Sequence, residues 1–465
     1  MEEGVEMVIE QVRQKEFTHF IGIGGVGMSG LAKILLEKGY KVSGSDLAAN
    51  ETTSKLSSLG ATVFHGHHPE HLPASVERVV VSSAIKENNP ELQKARALGL
   101  SIISRGELLA ELMAREKGIA VAGSHGKTTT SSMIAWCLEK NGWDPTIVVG
   151  GEVTNIGDNA KLGRGEYMVA EADESDGSFL KLNPYIAVVT NVEDDHLDHY
   201  GTFDNIVTAF ADFLALVPPT GFSVVGTDSP VTKALAKEQP KVITYGFDAE
   251  ADYRAVQLQL TENHSKATVQ YKGTYLGTLE LKMPGKHNIG NALATVAVCL
   301  ELGLSFGEIT EALASFQGAK RRFQHLGTAG DIKVVDDYAH HPTEISATLA
   351  AAKQLEPRIL WAVFQPHRFS RTHQLYQEFG KAFKDADQVV ITDIYAAGES
   401  PIPGVSAEII VKAIEEEGGK VVYLPGQQEI VTYLRDHCGP GDMVLTLGAG
   451  DIWQVGSKLL QQLRS

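Results

Sequence analysis

Apolar positions along this chain fall into short β-type runs separated by stretches of helical period, and the rhythm changes twice. From Phe17 to about Arg105, runs at Phe20–Ile23, Lys41–Gly44, Arg78–Ser82 and Ser101–Ile103 alternate with helical stretches such as Ser29–Lys38. Continuous apolar runs between helices suit parallel strands buried on both faces. A second stretch starts near Glu107, with strands expected at Gly118–Ala122, Tyr167–Ala170 and Ile186–Thr190 and a helix over Ser131–Lys140. Between Ala251 and Met283 the period becomes two. Tyr253–Leu260, Ala267–Tyr271 and Tyr275–Leu281 alternate in the manner of half-buried antiparallel strands. A helix from Asn288 to Leu302 restores the α/β rhythm. Further strands are expected at Ile332–Asp336, Ile359–Phe364, Gln388–Thr392, Lys420–Tyr423 and Asp442–Thr446.

One turn between strand and helix carries the strongest chemical signal: Gly123-Ser124-His125-Gly126-Lys127-Thr128-Thr129-Thr130. In such a turn the backbone N–H groups and the helix N-terminus point at an anion. Lys127 can bridge terminal phosphates and the Thr128 hydroxyl can sit on Mg²⁺. The spacing is shorter than the usual Walker A, so an ordinary kinase or GTPase does not follow. The reading is a nucleoside-triphosphate site.

Gly22-Ile-Gly24-Gly25-Val-Gly27 lies between the first strand and a helix, with Asp46 after the next strand. This is a dinucleotide-type fingerprint, with an acid for a ribose hydroxyl. The same geometry would hold the diphosphate of NAD or of UDP, or would serve only to pack helix on strand. Two acidic clusters, Glu171-Ala-Asp173-Glu174-Ser-Asp176 and Asn191-Val-Glu-Asp-Asp195-His196, each follow an apolar strand of the phosphate-loop unit. Oxygen ligands there suit Mg²⁺, and a histidine suggests a second metal or a water-mediated role. Solvated acidic loops are the alternative.

Asn288 and Asn291 open a helix after Pro284-Gly285, where Asn288 could be an N-cap or could contact a purine edge. Arg321-Arg322 sits at a unit junction, within reach of a nucleotide or simply on the surface. His340-His341 and Arg368/Arg371 follow third-unit strands. The two arginines, three apart, could share a helical face and clamp a carboxylate or phosphate. No completing ligand spacing supports a metal at the histidine pair.

Composition narrows the partners. The 465 residues carry a net charge of −17, which argues against nucleic acid and anionic membranes. No apolar run reaches the length of a membrane span. Met1–Lys15 is acidic and lacks the apolar core of a signal peptide. Three scattered cysteines, Cys137, Cys299 and Cys438, suggest packed thiols in a reducing compartment. A cytoplasmic protein is expected.

Taken together, His19–Gly30, Gly123–Thr130, Glu171–Asp176, Asn191–Asp198, Lys286–Asn291, Arg321–Phe323, Asp336–Glu344 and His367–Thr372 resemble, in order, the motifs of the Mur ligases of peptidoglycan synthesis. They cover essentially the whole chain, and they look most like the alanine-adding branch. The resemblance implies three α/β domains. A Rossmann-like unit over 1–106 would bind a UDP-sugar. A P-loop ATPase-like unit with an added small antiparallel sheet, over 107–320, would bind ATP. A Rossmann-like unit over 321–465 would bind the amino acid.

By this resemblance Gly22, Gly24, Gly25 and Gly27, with Asp46, Ser83 and Arg105, would hold the UDP-sugar, not NAD. Gly123–Thr129, His287, Asn288, Asn291, Arg322 and Asp337 would hold ATP, with Lys127 on the β/γ phosphates. Thr128 and Glu171 would bind one Mg²⁺ and His196 a second, with Mn²⁺ as a substitute. Tyr338, His341, Arg368 and Arg371 would surround the carboxylates. The implied substrates are UDP-N-acetylmuramate and L-alanine, on a monomer or weak homodimer. One departure stands out. No Lys occurs between Lys181 and Lys233, so the carbamylated lysine of several family members has no counterpart. A tripeptide-recycling relative shares most of these motifs. An NAD(P)-dependent oxidoreductase and a non-enzymatic UDP-sugar sensor are the rivals from other classes.

Overall fold

The computed structural model describes residues 16–464 apart from 48, 262 and 263; the acidic stretch Met1–Lys15 lies outside them. Its first five strands are β1 (Thr18–Ile21), β2 (Val42–Asp46), β3 (Thr62–His65), β4 (Arg78–Val81) and β5 (Ser101–Ser104). They form one parallel sheet in the order β3-β2-β1-β4-β5. The chain reverses direction across the sheet beside β1, so the loops after β1 and β4 flank a crevice at the strands' C-terminal ends. Gly22 leaves β1 with φ +85°, a conformation that favours glycine. The helix Val26–Glu37 starts at Gly25 with no side-chain cap, leaving its first N–H groups free for an anion.

The central sheet has ten strands. These are β6 (Lys117–Ala122), β7 (Thr146–Val153), β8 (Asp158–Lys161), β9 (Tyr167–Glu171), β10 (Ile186–Val189), β11 (Phe222–Gly226), β12 (Val242–Gly246), β13 (Tyr253–Leu260), β14 (Ser265–Tyr271) and β15 (Thr274–Leu281). Their order is β15-β14-β13-β12-β11-β10-β6-β9-β7-β8. The antiparallel strands β13–β15 join through the parallel pairing of β13 on β12. Strand β6, which feeds the phosphate loop, lies between β9 and β10. Both acidic clusters therefore emerge beside that loop.

The third sheet comprises β16 (Gln324–Ala329), β17 (Ile332–Asp337), β18 (Leu360–Phe364), β19 (Gln388–Ile391), β20 (Val421–Tyr423) and β21 (Met443–Leu447). They are ordered β16-β17-β21-β18-β19-β20 and parallel except for β16.

Core packing separates rigid from movable joints. One apolar cluster runs from the first sheet's Phe20, Met28 and Leu31 through Leu108, Leu109 and Met113 to the central sheet's Ala120, Met168 and Val189. The helix Arg105–Met113 contributes to that shared core, and the boundary expected at 106 falls within this helix. The third sheet instead has two apolar clusters of its own, one on each face. Its polar contacts with the central unit gather around the phosphate loop, described below. A unit docked through polar contacts is free to move relative to one sharing a core. Cys137 and Cys299 are buried between the helices Lys127–Lys140 and Lys286–Glu301, and Cys438 is half-buried. No helix among the described residues is long and apolar enough to cross a membrane.

Candidate active site

The phosphate loop is shaped by two glycines at positive φ, Gly123 at +136° and Gly126 at +82°. A Cβ on Gly123 would lie 2.0 Å from Thr190 Oγ1, and one on Gly126 2.5 Å from Asn291 Oδ1. Neither position has room for a side chain. The helix Lys127–Lys140 begins there uncapped, so its N–H groups face the loop's concavity. Lys127 Nζ folds back to donate to Gly123 O (2.6 Å), Ser124 O (3.2 Å) and Glu174 Oε1 (2.7 Å). Burial pulls its ammonium pKa down, but Glu174 and Glu171 more than reverse this and hold it above the ordinary lysine range. A cation held on carbonyls and one carboxylate is poised for phosphate oxygens.

Thr128 Oγ1 donates to Glu171 Oε2 at 2.8 Å, pairing two hard oxygen ligands beside the helix start. That set suits Mg²⁺. The second expected position is more telling. Glu174 is almost wholly buried, and its Oε2 has no hydrogen-bond partner. His196 Nε2 lies 3.8 Å from Glu174 Oε1 and 3.5 Å from Asp195 Oδ2. Burial lowers the His196 pKa, leaving a neutral ring with a lone pair to offer. An orphaned carboxylate oxygen beside a neutral imidazole fits a second cation. Glu174 was not singled out by the sequence reading, which saw an acidic cluster without knowing which side chain turns inward.

The third unit reaches this loop and its flanking acidic cluster through polar side-chain contacts. Arg322 Nη2 lies 3.3 Å from Thr128 Oγ1. Thr343 Oγ1 donates to Glu193 Oε2 at 2.7 Å, and Glu344 Oε1 is 3.2 Å from His125 Nδ1. Arg371 Nη2 donates to Asp195 Oδ1 at 3.1 Å, with both side chains about nine-tenths buried. Burial alone would raise the Asp195 pKa. The Arg371 guanidinium and nearby histidines overcome it and hold the carboxyl well below the usual range. Asp195 is a second residue whose role only the structure reveals.

Other expected residues fall into place with differences. Asn288 is not the N-cap: Gly285 is, and Asn288 Nδ2 donates to Pro284 O at 2.7 Å from inside the first turn. The positive φ of Gly285 (+101°) starts the helix two residues earlier than the apolar pattern suggests. Asn291 Oδ1 accepts from Thr130 Oγ1 at 3.2 Å, which ties this helix to the phosphate loop. His287, Asn288, Asn291, Arg322 and Asp337 line one interdomain cavity with His125 and Thr129. Asp337 accepts backbone N–H bonds from Phe323 (2.6 Å) and Ala339 (2.7 Å), and burial pushes its carboxyl up to about 6. It thereby anchors the segment that aims Arg322.

Arg321 has a structural role, pairing with Asp336 and donating to carbonyls after β21. Both arginines lie over the ring of Tyr338. Arg368 and Arg371 do not share a helical face, because Arg368 sits at φ +71° as the residue preceding the helix Phe369–Ala382. They nevertheless line one small pocket with Asp195 and His196. His341 is buried with no hydrogen-bond partner on either ring nitrogen.

In the first unit Asp46 Oδ2 accepts from Gly24 N at 2.8 Å, so it braces the glycine turn directly. Arg105 lies against Gly27 and pairs with Asp173 at 2.9 Å, reaching from the first unit to the Glu171–Asp176 acidic cluster of the central one. Ser83 is exposed in the turn after β4.

His125 gives a pH-dependent joint. Burial lowers its pKa, but Glu193 and Glu344 outweigh this and raise it to about 9. A folded pKa above the ordinary histidine value of about 6.5 means the docking contribution is complete below that value and is lost as pH rises through about 9. Small-angle scattering of the chelator-stripped, ligand-free chain should therefore show a growing radius of gyration between those limits. A radius unchanged to pH 10 would remove His125 from the docking contact.

A phosphate loop between parallel strands of a central mixed sheet, with Rossmann-like units on either side and carboxylates converging on its lysine, defines a three-unit nucleotide-dependent enzyme. The Mur ligase family catalytic domain matches residues 18–117, the middle domain 121–299 and the glutamate ligase domain 321–450. A UDP-N-acetylmuramate–L-alanine ligase of Pelotomaculum thermopropionicum is 55% identical over 97% of this chain and 98% of its own. Among solved structures, the UDP-N-acetylmuramate–alanine ligase of Thermotoga maritima superposes with TM-score 0.83 at 30% identity, covering 96% and 98% of the two chains. A murein peptide ligase of Psychrobacter arcticus superposes with TM-score 0.74 at 27% identity, covering 97% and 99%. The chain belongs to the Mur ligase family.

Proposed function

We propose that this chain is an ATP-dependent amide ligase that joins L-alanine to the lactyl carboxylate of UDP-N-acetylmuramate, forming UDP-N-acetylmuramoyl-L-alanine, ADP and phosphate. The observation that carries this is 55% identity, along essentially the full length of both chains, to a ligase of that name. The site supplies the chemistry the reaction needs.

A carboxylate is a poor electrophile, so the lactyl group must first take the γ-phosphoryl of ATP to become an acyl phosphate. The amine then attacks, and the tetrahedral intermediate expels phosphate. Gly123, Gly126 and the uncapped helix start present N–H groups to the phosphates. Lys127 leaves its resting carbonyls to offset charge on the transferring group. Thr128 and Glu171 would hold one Mg²⁺, and His196 with Glu174 a second. These ions would supply charge neutralisation at the phosphoryl oxygens. Arg322 adds a guanidinium from the third unit, next to Thr128. Docking of that unit excludes water, which would otherwise hydrolyse the acyl phosphate.

Arg371 pairs with Asp195 and lines one small pocket with Arg368 and His196, and on this reading its guanidinium receives a substrate carboxylate. Arg371→Ala should raise the KM for L-alanine or the sugar nucleotide far more than it lowers kcat. Steady-state kinetics with unchanged KM for both would make Arg371 a structural residue.

The assay that tests the whole reading is phosphate release from Mg-ATP with UDP-N-acetylmuramate, across single amino acids and the L-Ala–D-Glu–diaminopimelate tripeptide. Release dependent on both substrates and strongest with L-alanine supports the proposal. Release with the tripeptide alone would move the chain to the peptide-recycling branch. Silence across the panel would leave the family standing and this activity refuted.

A further inference from the structure

His125, Glu193 and His341 meet at the seam between the phosphate loop and the third unit, with their ligand atoms all within 4.8 Å of one another. His125 comes from the loop itself. Glu193 follows β10, where its backbone N–H is fixed by Ser124 Oγ at 2.8 Å. His341 belongs to the third unit and immediately precedes the helix Pro342–Lys353. They border the expected ATP and carboxylate sites but are separate from the Thr128, Glu171 and His196 set expected to hold Mg²⁺.

Two observations mark this as more than a polar seam. His341 is only 4% exposed, yet both ring nitrogens lack a hydrogen-bond partner. A buried imidazole ordinarily satisfies at least one of them. Its ring stands 5.1 Å, centroid to centroid, from that of His125. Meanwhile His125 Nε2 and Glu193 Oε2 lie 3.2 Å apart in a hydrogen bond, whose proton an arriving cation would displace to solvent. That separation matches the edge, about 3.3 Å, of a tetrahedron with metal–ligand bonds of about 2.0 Å. Glu344 Oε1 lies 3.2 Å from the opposite nitrogen of His125, Nδ1. A carboxylate behind a ligating histidine is the usual outer support of a metal centre.

We propose that His125, Glu193 and His341 form a site for one divalent transition-metal ion, best matched by Zn²⁺, which pins the third unit against the phosphate loop. Two imidazoles and one carboxylate favour Zn²⁺ over Mg²⁺, whose preference is for oxygen ligands. Three protein ligands leave a fourth position for water. Because the ligands come from two units, the bound ion links them directly.

The test is a titration of the chelator-stripped full chain with Zn²⁺ against a chromophoric zinc indicator. One ion per chain is expected. Glu193→Gln and His341→Asn should each weaken binding by about 100-fold, the upper end of what loss of even an outer support costs. Glu344→Gln should weaken it by about 10-fold or more. His68→Asn, in the separate histidine-rich stretch of the first unit, should leave it unchanged. Zn²⁺ should also slow amide exchange across Pro342–Lys353 in the wild type but not in Glu193→Gln. Circular dichroism establishes that each variant is folded, and the isosteric Glu193→Gln carries the test if His341→Asn is not. Absence of binding at micromolar Zn²⁺ would overturn the proposal. So would full affinity in Glu193→Gln, because the ion would then sit elsewhere.

Discussion

Lys127→Ala lowers kcat by at least about 100-fold, the scale of losing one preorganised charge contact at a developing anion. The structure explains why no neighbour can replace it. Lys127 Nζ is fixed within 2.6–3.2 Å of Gly123 O, Ser124 O and Glu174 Oε1. Arg322, the other cation at this end of the loop, reaches Thr128 from a unit that can move. The substitution also strands Glu174, a buried carboxylate whose second oxygen already lacks a partner. Such a group neutralises itself by taking up a proton rather than remaining charged. A loss of stability alone could mimic the kinetic effect, so the unfolding temperature of Lys127→Ala is measured beside its turnover, and turnover that stays low well below that temperature assigns the loss to the missing ammonium. Phosphate release at saturating substrates measures kcat, and near-wild-type turnover in Lys127→Ala would take this residue out of the site.

The parts of this site that were legible in the sequence are those encoded locally. The turn Gly123–Thr130 needs a strand, two glycines and a helix in succession, and all of them are contiguous. The third unit's strands were equally plain, because central parallel strands are continuous apolar runs. The edge strands β3, β8 and β16 were not, although β5, β15 and β20 at the opposite edges were. β3 (Thr62–His65) is half exposed, and β16 (Gln324–Ala329) alternates with a glycine at φ +155°, so neither carries an apolar signature. Side-chain direction was the larger loss. In Glu171–Asp176 nothing local says that Glu174 turns inward to Lys127 while Glu171 meets Thr128. Contacts such as Asp195 with Arg371 join residues 176 apart, on different units. Arg368 was placed on a helix by its spacing, but its positive φ puts it before the first turn. Pairings of this kind follow from sheet order and docking, neither of which a linear pattern contains.

Glu91→Ala should cost about 3 kcal/mol or more of stability, because each buried polar group it leaves without a partner costs about 1–3 kcal/mol. Glu91 and His19 are both wholly buried in the first unit and lie 2.8 Å apart. The same carboxylate accepts from Ser45 Oγ at 2.8 Å and His68 N at 3.1 Å, with His67 Nδ1 at 3.3 Å. It thus ties the helix Pro90–Ala97 to β1, β2 and the loop after β3. Burial raises its pKa, but the bonds from His19 and Ser45 overcome this and hold it below the ordinary glutamate range. A depressed folded pKa means the stabilisation is complete above the unfolded value of about 4.3 and is lost as pH falls through the folded one. Alanine removes every acceptor and leaves His19 and Ser45 facing a cavity. Glu91→Gln keeps the volume and one acceptor oxygen, so its penalty should be smaller. Denaturant unfolding followed at neutral pH and again below pH 4 measures both effects. The wild type should weaken across that interval, while Glu91→Ala, having no carboxylate there to protonate, should lose less. An alanine variant within 1 kcal/mol of wild type at pH 7 would show that the network is dispensable, and that apolar packing alone docks this helix.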